Sequence, residues 1–253
     1  MLKKAKKSAK KTVKKVGPKL EPVKKIEPLD TITSVLAALK NLATQETLDG
    51  MAQYGIPSDK AWGVAMGDIQ KLAKRVGRNH AMAASLWETG VYEARLMSAF
   101  VEEPDRVTPA QMNRWCRDFD NWAVVDTLCF KLFDQTPHAY AAVERWAEAK
   151  PEFEKRAAFA LLAALALHDK ETTDDKFLHL LPLIEKAATD PRNFVKKGVS
   201  WALRAIGSRK SSYLRKAAMN LAMSLAEAED EDSRWVGKDV VRDLQKKTGK
   251  PNK

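Results

Sequence analysis

The segment from Glu154 to Lys170, EKRAAFALLAALALHDK, constrains the fold more than any other part of the chain. Its residues are strong helix formers, and every position between Ala157 and Leu167 is apolar. A helix on a protein surface carries an apolar stripe on one side only, so this segment predicts a helix that is buried on several sides. Such a central helix, flanked by amphipathic pairs, favours a helical-repeat solenoid over a small bundle.

From Thr31 onward almost every segment has a helical pattern, and the helix breakers fall between the periodic segments. Ten or more helices with short links predict an all-α protein. The predicted boundaries are a capping box of Thr108 and Gln111 with Pro109 in the first turn, a cap at Asp190 ahead of Pro191, a stop at Gly207 and a cap at Ser233.

The spacing of four marked residues also favours a repeat architecture. Trp122 and Arg156 are 34 residues apart, Arg156 and Trp201 are 45 apart, and Trp201 and Trp235 are 34 apart. These distances match two-helix repeats of the HEAT type. The predicted fold is therefore an all-α, HEAT-like helical-repeat solenoid that occupies residues 31–253.

The positive charge of the chain is concentrated at its N-terminus. Residues 1–30 contain eleven lysines against three acidic residues, a net charge of +8, which leaves +3 of the total +11 for the rest. This Lys-rich, low-complexity tail is too poor in apolar residues to form a core, so we expect it to be disordered. It is either a solubilising segment or a tether for a polyanion such as nucleic acid, and a targeting role is a further alternative.

Several classes of site and location are disfavoured. Cys116 and Cys129 are the only cysteines, which fits reduced core thiols in a reducing compartment. The histidines are scattered and no phosphate-binding glycine loop or nucleophile elbow is present, so no metal and no other cofactor is expected. No signal peptide or membrane-spanning stretch is recognisable, which predicts no membrane association.

One stripe combines cations with an aromatic ring in the segment NFVKKGVSWALRAIG. Lys197, Trp201 and Arg204 fall at i, i+4 and i+7, apart from an apolar face formed by Phe194, Val195, Val199, Ala202 and Ile206. Basic side chains interleaved with an indole suit a phosphate backbone with a stacking surface beside it. The alternative is that Trp201 is a packing residue and the cations are solvated.

Arg156 is a cation near the start of the otherwise apolar central helix. A guanidinium at this position needs a partner or a solvent-facing groove, because an unpaired buried charge is too costly. It could form a salt bridge with Glu152, Glu154 or another carboxylate. Its planar five-donor fork would equally suit a phosphate group.

The segment DNWAVVDTLCF places a carboxylate beside an indole. Asp126 follows Trp122 by one helical turn, on the shoulder of an apolar stripe. Asp126 could pair with an arginine such as Arg156. Together with Trp122 it could instead form an electron-rich site for a cationic group or an oxocarbenium-like transition state. The apolar stripe consists of Val125, Leu128, Cys129, Leu132 and Phe133.

Four ordered motifs resemble the bacterial DNA alkylation repair proteins of the AlkD-like family. They are RWCRDFDNWAVVDTLCF, KRAAFALLAALALHDK, NFVKKGVSWALRAIGSR and SRWVGKDVVRDL, and the similarity extends from about Thr31 to about Lys247. The resemblance implies a HEAT-like solenoid with a basic concave face that holds duplex DNA. It also implies a monofunctional glycosylase that hydrolyses the N-glycosidic bond of N3- or N7-alkylated purines in the bacterial cytoplasm, as a monomer and without a cofactor.

The resemblance assigns roles to the residues already singled out. It implies that Asp126 is the catalytic carboxylate and that Trp122 and Trp201 contact the sugar and the cationic lesion. Phosphate contacts are expected from five basic residues, Arg156, Lys197, Arg204, Lys238 and Arg242.

The chain departs from the family pattern at one position. Many relatives have Trp-Asp ahead of the catalytic carboxylate, whereas this chain has Trp122-Ala123, so a second acid is absent and the substrate range could differ. Two other functions stay open, a catalytically silent protein that binds damaged or branched DNA, and a protein–protein scaffold.

Overall fold

The structure is a computed structural model that describes residues 29–248. Over that range it contains thirteen α-helices and three short 3₁₀ helices and no β-strand, which confirms the predicted all-α class. The 3₁₀ helices span Ala52–Tyr54, Pro104–Arg106 and Phe133–Gln135. The α-helices are α1 (Ile32–Lys40), α2 (Gln45–Met51), α3 (Met66–Val76), α4 (His80–Glu88), α5 (Tyr92–Val101), α6 (Pro109–Arg117), α7 (Trp122–Lys131), α8 (Ala139–Ala147), α9 (Glu152–His168), α10 (Asp174–Ala187), α11 (Asn193–Gly207), α12 (Ser212–Ala226) and α13 (Glu231–Thr248).

The helices form two layers that run side by side. In one layer α5 packs on α7, α7 on α9, α9 on α11 and α11 on α13. In the other layer α6 packs on α8, α8 on α10 and α10 on α12. The two layers are joined within the helix pairs, most extensively where α9 meets α8 and where α13 meets α12. This sequential stacking of helix pairs is the arrangement of a HEAT-like repeat solenoid.

Helix α9 is the centre of the packing, as its sequence predicts. It contacts α7 and α11 in its own layer and α8 in the other, and every residue from Arg156 to Ala166 is buried. Leu167 departs from the prediction that the apolar residues of this helix are buried on several sides. It lies at the end of the helix and is 39 % exposed.

The predicted capping box at α6 is only half formed. The Thr108 hydroxyl accepts a hydrogen bond from the Gln111 backbone N–H at 3.2 Å, and Pro109 occupies the first turn. The Gln111 side chain does not return to Thr108, since its amide donates to Glu102 Oε2 at 2.7 Å. In a complete capping box the Gln111 side-chain oxygen would accept from the Thr108 N–H, but the charge-assisted bond to buried Glu102 turns this side chain away from the helix terminus.

The two predicted caps at Asp190 and Ser233 are wrong. Asp190 does not cap α11, which begins at Asn193, because its carboxylate binds the backbone and guanidinium of Arg192. Ser233 lies inside α13, where its backbone N–H donates to Asp230.

Gly207 is the last residue of α11, which confirms the predicted stop, and it ends the helix without a positive φ angle. Its role is close packing, because an added Cβ would lie 2.8 Å from Leu244 Cδ1 on α13.

The predicted Lys-rich tail lies almost entirely outside the described residues. Both cysteines are buried and form no disulfide, as expected for core thiols. Between residues 29 and 248, no helix combines the length and the apolar character needed to cross a membrane.

Candidate active site

A groove of about 740 Å³ runs along one helical layer and collects most of the predicted site residues. Its walls come from α7, α9, α11 and α13, with the 3₁₀ helix Ala52–Tyr54 reaching it from the N-terminal part. Six of the eight predicted site residues line this groove, namely Trp122, Asp126, Arg156, Lys197, Trp201 and Arg204.

Helix α7 supplies the carboxylate and the first indole. It begins at Trp122, where the Asn121 side-chain oxygen accepts a hydrogen bond from the Val124 N–H at 3.0 Å. The predicted apolar stripe of α7 is fully buried, which leaves Trp122 and Asp126 toward the groove. The helix ends at Lys131 rather than running on through the stripe, but the two following residues of the stripe, Leu132 and Phe133, remain in the core.

Asp126 is held by Arg156 in a two-point ion pair. Arg156 Nε donates to Asp126 Oδ1 at 3.1 Å and Nη2 donates to Oδ2 at 2.8 Å. Arg156 Nη1 also donates to the Phe194 carbonyl oxygen at 2.8 Å, so the guanidinium bridges α7 and α11. The partner of Arg156 is therefore Asp126 rather than the neighbouring Glu152 or Glu154. Two of the five guanidinium N–H groups are left for a ligand.

The ion pair is mostly buried. The Asp126 side chain is 19 % exposed and that of Arg156 is 7 % exposed. Burial raises the pKa of the Asp126 carboxyl, and the positive charge and hydrogen bonds of Arg156 oppose this rise. The site thus holds a carboxylate that is largely shielded from water and oriented through both of its oxygens.

Trp122 is fixed by a long-range hydrogen bond. Its indole N–H donates to the Tyr54 carbonyl oxygen at 2.8 Å, across 68 residues of sequence. This bond connects α7 to the N-terminal 3₁₀ helix and places Tyr54 in the wall of the groove. Because its N–H is occupied, the indole offers mainly its π surface to a ligand.

Trp201 is supported by stacking on Phe130. The ring of Phe130 lies parallel to it, with centroids 4.6 Å apart and planes 8° apart. Phe130 in turn meets His168 edge to face at 5.5 Å. Trp201 is therefore a braced, half-buried indole at the groove surface, and Lys197 is exposed one turn before it.

Arg204 has acidic neighbours on α13. Its Nε lies 3.6 Å from Asp239 Oδ2 and its Nη1 lies 3.9 Å from Asp243 Oδ1. Asp239 also accepts a hydrogen bond from the Ser200 hydroxyl at 2.6 Å. The groove thus contains a second carboxylate beside an arginine, with looser geometry than that of Asp126 and Arg156.

Lys238 and Arg242 do not line the groove. They border a separate depression on α13, together with Ala226 and Gln245. The Arg242 guanidinium also donates a hydrogen bond to Asp239, which lines the groove although Arg242 does not. Contact of these two cations with DNA stays a prediction.

Sequence reasoning missed three kinds of groove residue. Trp235 and Asp239 form an i, i+4 pair on α13, a spacing that could have identified them. Tyr54 comes from a distant 3₁₀ helix, and no local pattern points to it. Phe194, assigned to the inward face, has its ring 5.9 Å from the Arg156 guanidinium and lines the groove. Among residues 29–248, no three His, Cys, Asp or Glu side chains are grouped as metal ligands would be.

Comparison with known structures supports the fold. A solved structure described as "A new family of proteins related to the HEAT-like repeat DNA glycosylases with affinity for branched DNA structures" superposes with a TM-score of 0.69. The two are 17 % identical, over 83 % of this chain and 94 % of that one. A designed armadillo repeat protein aligns over 84 % of this chain at 12 % identity, but its TM-score of 0.31 is too low to support an argument.

Sequence comparison identifies the family. A search of curated proteins finds no significant match. The family model for the DNA alkylation repair enzyme matches residues 35–239, which include α2 to α12 and the groove helices up to Asp239. The chain belongs to the DNA alkylation repair enzyme family.

Proposed function

We propose that the chain is a monofunctional DNA glycosylase that hydrolyses the N-glycosidic bond of N3- or N7-alkylated purines in duplex DNA. One observation carries this proposal. Asp126 is a shielded carboxylate in a groove that Trp122 and Trp201 also line. A fixed negative charge in a groove that also presents aromatic surfaces suits a reaction in which positive charge develops on a sugar.

The alkylated purine already carries a positive charge, so it leaves as a neutral base without being protonated. The bond between C1′ and the purine nitrogen breaks, and its electron pair goes to the base. The Asp126 carboxylate stabilises the positive charge at C1′ and orients the water that attacks there. That water forms the new bond to C1′ and releases its proton to solvent, which leaves the abasic sugar and the neutral base. Asp126 acts mainly through its charge in this sequence.

Arg156 serves this reaction by holding Asp126. Its two-point pairing fixes the carboxylate in one orientation, which saves the cost of ordering it during the reaction. Its two remaining N–H groups can still reach a phosphate beside the lesion.

Trp122 and Trp201 would contact the deoxyribose and the cationic base through their π surfaces. Lys197 and Arg204 would bind flanking phosphates, and Lys238 and Arg242 would bind phosphates farther along the strand. In this proposal the protein acts as a monomer.

The test is release of free base from duplex DNA that carries N3- and N7-methylpurines. We expect wild-type protein to release base, and the Asp126→Asn variant to be at least ~100-fold slower at a similar DNA affinity. Asp105→Asn, which removes the same charge at an exposed site outside the groove, should match the wild type. No release by a folded wild type that binds DNA would contradict the proposal.

A second function is favoured by the same ion pair. Arg156 already neutralises Asp126 without DNA, as a purely structural pair would. A catalytically silent protein that binds damaged or branched DNA would need no free carboxylate, and the structurally similar protein is described as having affinity for branched DNA structures. This alternative predicts tight binding of branched DNA, no base release, and no change of affinity in Asp126→Asn.

A further inference from the structure

Trp235 is an exposed aromatic residue in the groove that the proposed reaction does not use. It lies on α13, is 39 % exposed, and lines the same groove as Trp122 and Trp201. Single exposed apolar side chains are common on protein surfaces, so the exposure of Trp235 gains meaning from its place in this groove.

The indole of Trp235 is held from one side by a fixed cation. Lys196 Nζ lies 5.2 Å from the centroid of the Trp235 ring and 2.6 Å from Asp232 Oδ1. This ion pair anchors the ammonium group over one face of the ring. A ligand can therefore stack only on the opposite face.

Trp235 and Trp201 differ in the group that lies against one face of the indole. Trp201 stacks on the neutral ring of Phe130, so its free face keeps the negative potential that attracts a cation. Trp235 already has Lys196 as its cation, so its free face retains less attraction for a second positive charge. Trp201 is thus better suited to a cationic purine, and Trp235 to a neutral one.

We propose that Trp235 is a stacking platform for a neutral, unpaired nucleobase in the bound DNA. Bases inside an intact duplex expose their edges but not their faces, so only a base without a partner can lie against the indole. The neighbouring cations Lys197 and Arg204 line the same groove and suit the backbone on either side of that base. This inference rests on the proposed DNA binding in the groove, but it does not require the glycosylase reaction.

The test compares three DNAs without alkylated bases, of the same length and with the same ends. One carries a single bulged adenine, one carries a bulged abasic spacer, and one is a perfect duplex. The spacer reproduces the bend and the charge of the bulge without the base. We expect wild-type protein to bind the bulged adenine about tenfold more tightly than the bulged spacer, as measured by fluorescence anisotropy.

Four variants separate stacking from other effects. Trp235→Ala and Trp235→Leu should lose the tenfold preference, the second because it keeps apolar volume but has no π face. Trp235→Phe should retain most of it. Tyr213→Ala removes a 61 % exposed aromatic ring of α12 that does not line the groove, and it should bind like the wild type.

Equal binding of the two bulged DNAs by the wild type would overturn this inference, as would an unchanged preference in Trp235→Ala. Equal weakening of all three complexes would also overturn it, because that is the result of a general backbone contact. Absence of base release from methylated DNA, with the bulge preference intact, would contradict only the proposed reaction. Failure of the folded wild type to bind any of the DNAs would contradict both.

Discussion

The guanidinium of Arg156 holds both carboxylate oxygens of Asp126, at 3.1 and 2.8 Å, although the two residues are 30 positions apart in sequence. The pair joins α7 to α9, and a third hydrogen bond from Arg156 to the Phe194 carbonyl extends it to α11. One arginine thus connects three consecutive helices of the groove layer. Its side chain is at once part of the fold and part of the candidate site.

Removal of Arg156 should destabilise the protein strongly. The Arg156→Met variant leaves the Asp126 carboxylate shielded from water without its counter-charge, and we expect a loss of about 3 kcal/mol in the free energy of unfolding. Urea denaturation monitored by circular dichroism measures this loss. The double variant Asp126→Asn/Arg156→Met should recover at least ~1 kcal/mol of it. A double variant that is less stable than the single one would show that the ion pair is not the cause.

Base release should depend on pH through Asp126. Burial raises the pKa of this carboxyl above its ordinary value of 3.8, despite the opposing effect of Arg156. The proposed reaction needs the ionised form, so the rate should fall as pH decreases, with a midpoint above 3.8. Single-turnover rates, corrected for spontaneous depurination, measure the midpoint. A rate that stays constant down to pH 3.8 would argue against Asp126 as the essential charge.

The hydrogen bond from Trp122 should order the N-terminal wall of the groove. Trp122→Phe keeps an aromatic ring but removes the N–H that donates to the Tyr54 carbonyl. We expect a loss of about 1 kcal/mol in stability and faster amide exchange in residues 45–54, measured by hydrogen–deuterium exchange. Exchange in α12, on the other layer, should not change. Uniformly faster exchange across the protein would point to global destabilisation instead.

Asp190 should make the stability of the protein depend on acid pH. Hydrogen bonds from Arg192 lower its pKa from 3.8 to about 2 in the folded state. A carboxyl with a lowered folded pKa contributes stability above its unfolded pKa, and the contribution is lost as pH falls from about 4 to about 2. Asp190→Asn should therefore cost about 1–2 kcal/mol at pH 7, and this difference should shrink to about 0.4 kcal/mol or less near pH 2, where about half of the folded-state carboxyl is still ionised. Asp59→Asn, an exposed loop substitution, is the control, and a difference for Asp190→Asn that is undiminished at pH 2 would exclude the ionic explanation.

Gly237 should be intolerant of a side chain. An added Cβ would lie 2.2 Å from the Ala226 backbone nitrogen and 2.5 Å from the Ala222 carbonyl oxygen. Gly237→Ala should push α13 away from α12 and cost at least about 2 kcal/mol in thermal or urea unfolding. Gly67→Ala makes the same change in α3, where nothing lies within 4 Å, and it should be neutral or slightly stabilising. Equal stability of the two variants would contradict this account of α12–α13 packing.

Local sequence was sufficient for the helical class and for the division of each helix into faces. The apolar run of α9 predicted its central position, and the i, i+4, i+7 spacing predicted that Lys197, Trp201 and Arg204 share one side of α11. Helix ends were less predictable. The Asp190 carboxylate accepts a hydrogen bond from the adjacent Arg192 guanidinium, and the Gln111 side chain donates to the buried Glu102 carboxylate. Both side chains therefore bind a charged partner instead of the helix terminus that local rules assign to them.

The sequence by itself determined that the chain would be all-α, because a 3.6-residue period is a local property of the residues that carry it. It also identified Trp122 and Asp126 as neighbours one turn apart. Only the tertiary structure decided which arginine holds Asp126, that Arg204 faces Asp239 and Asp243, and that Trp235 and Tyr54 line the groove while Lys238 does not. These relationships depend on how far one helix slides and turns against the next. That register is set by long-range contacts such as the close approach at Gly237, and no pattern within a single helix specifies it.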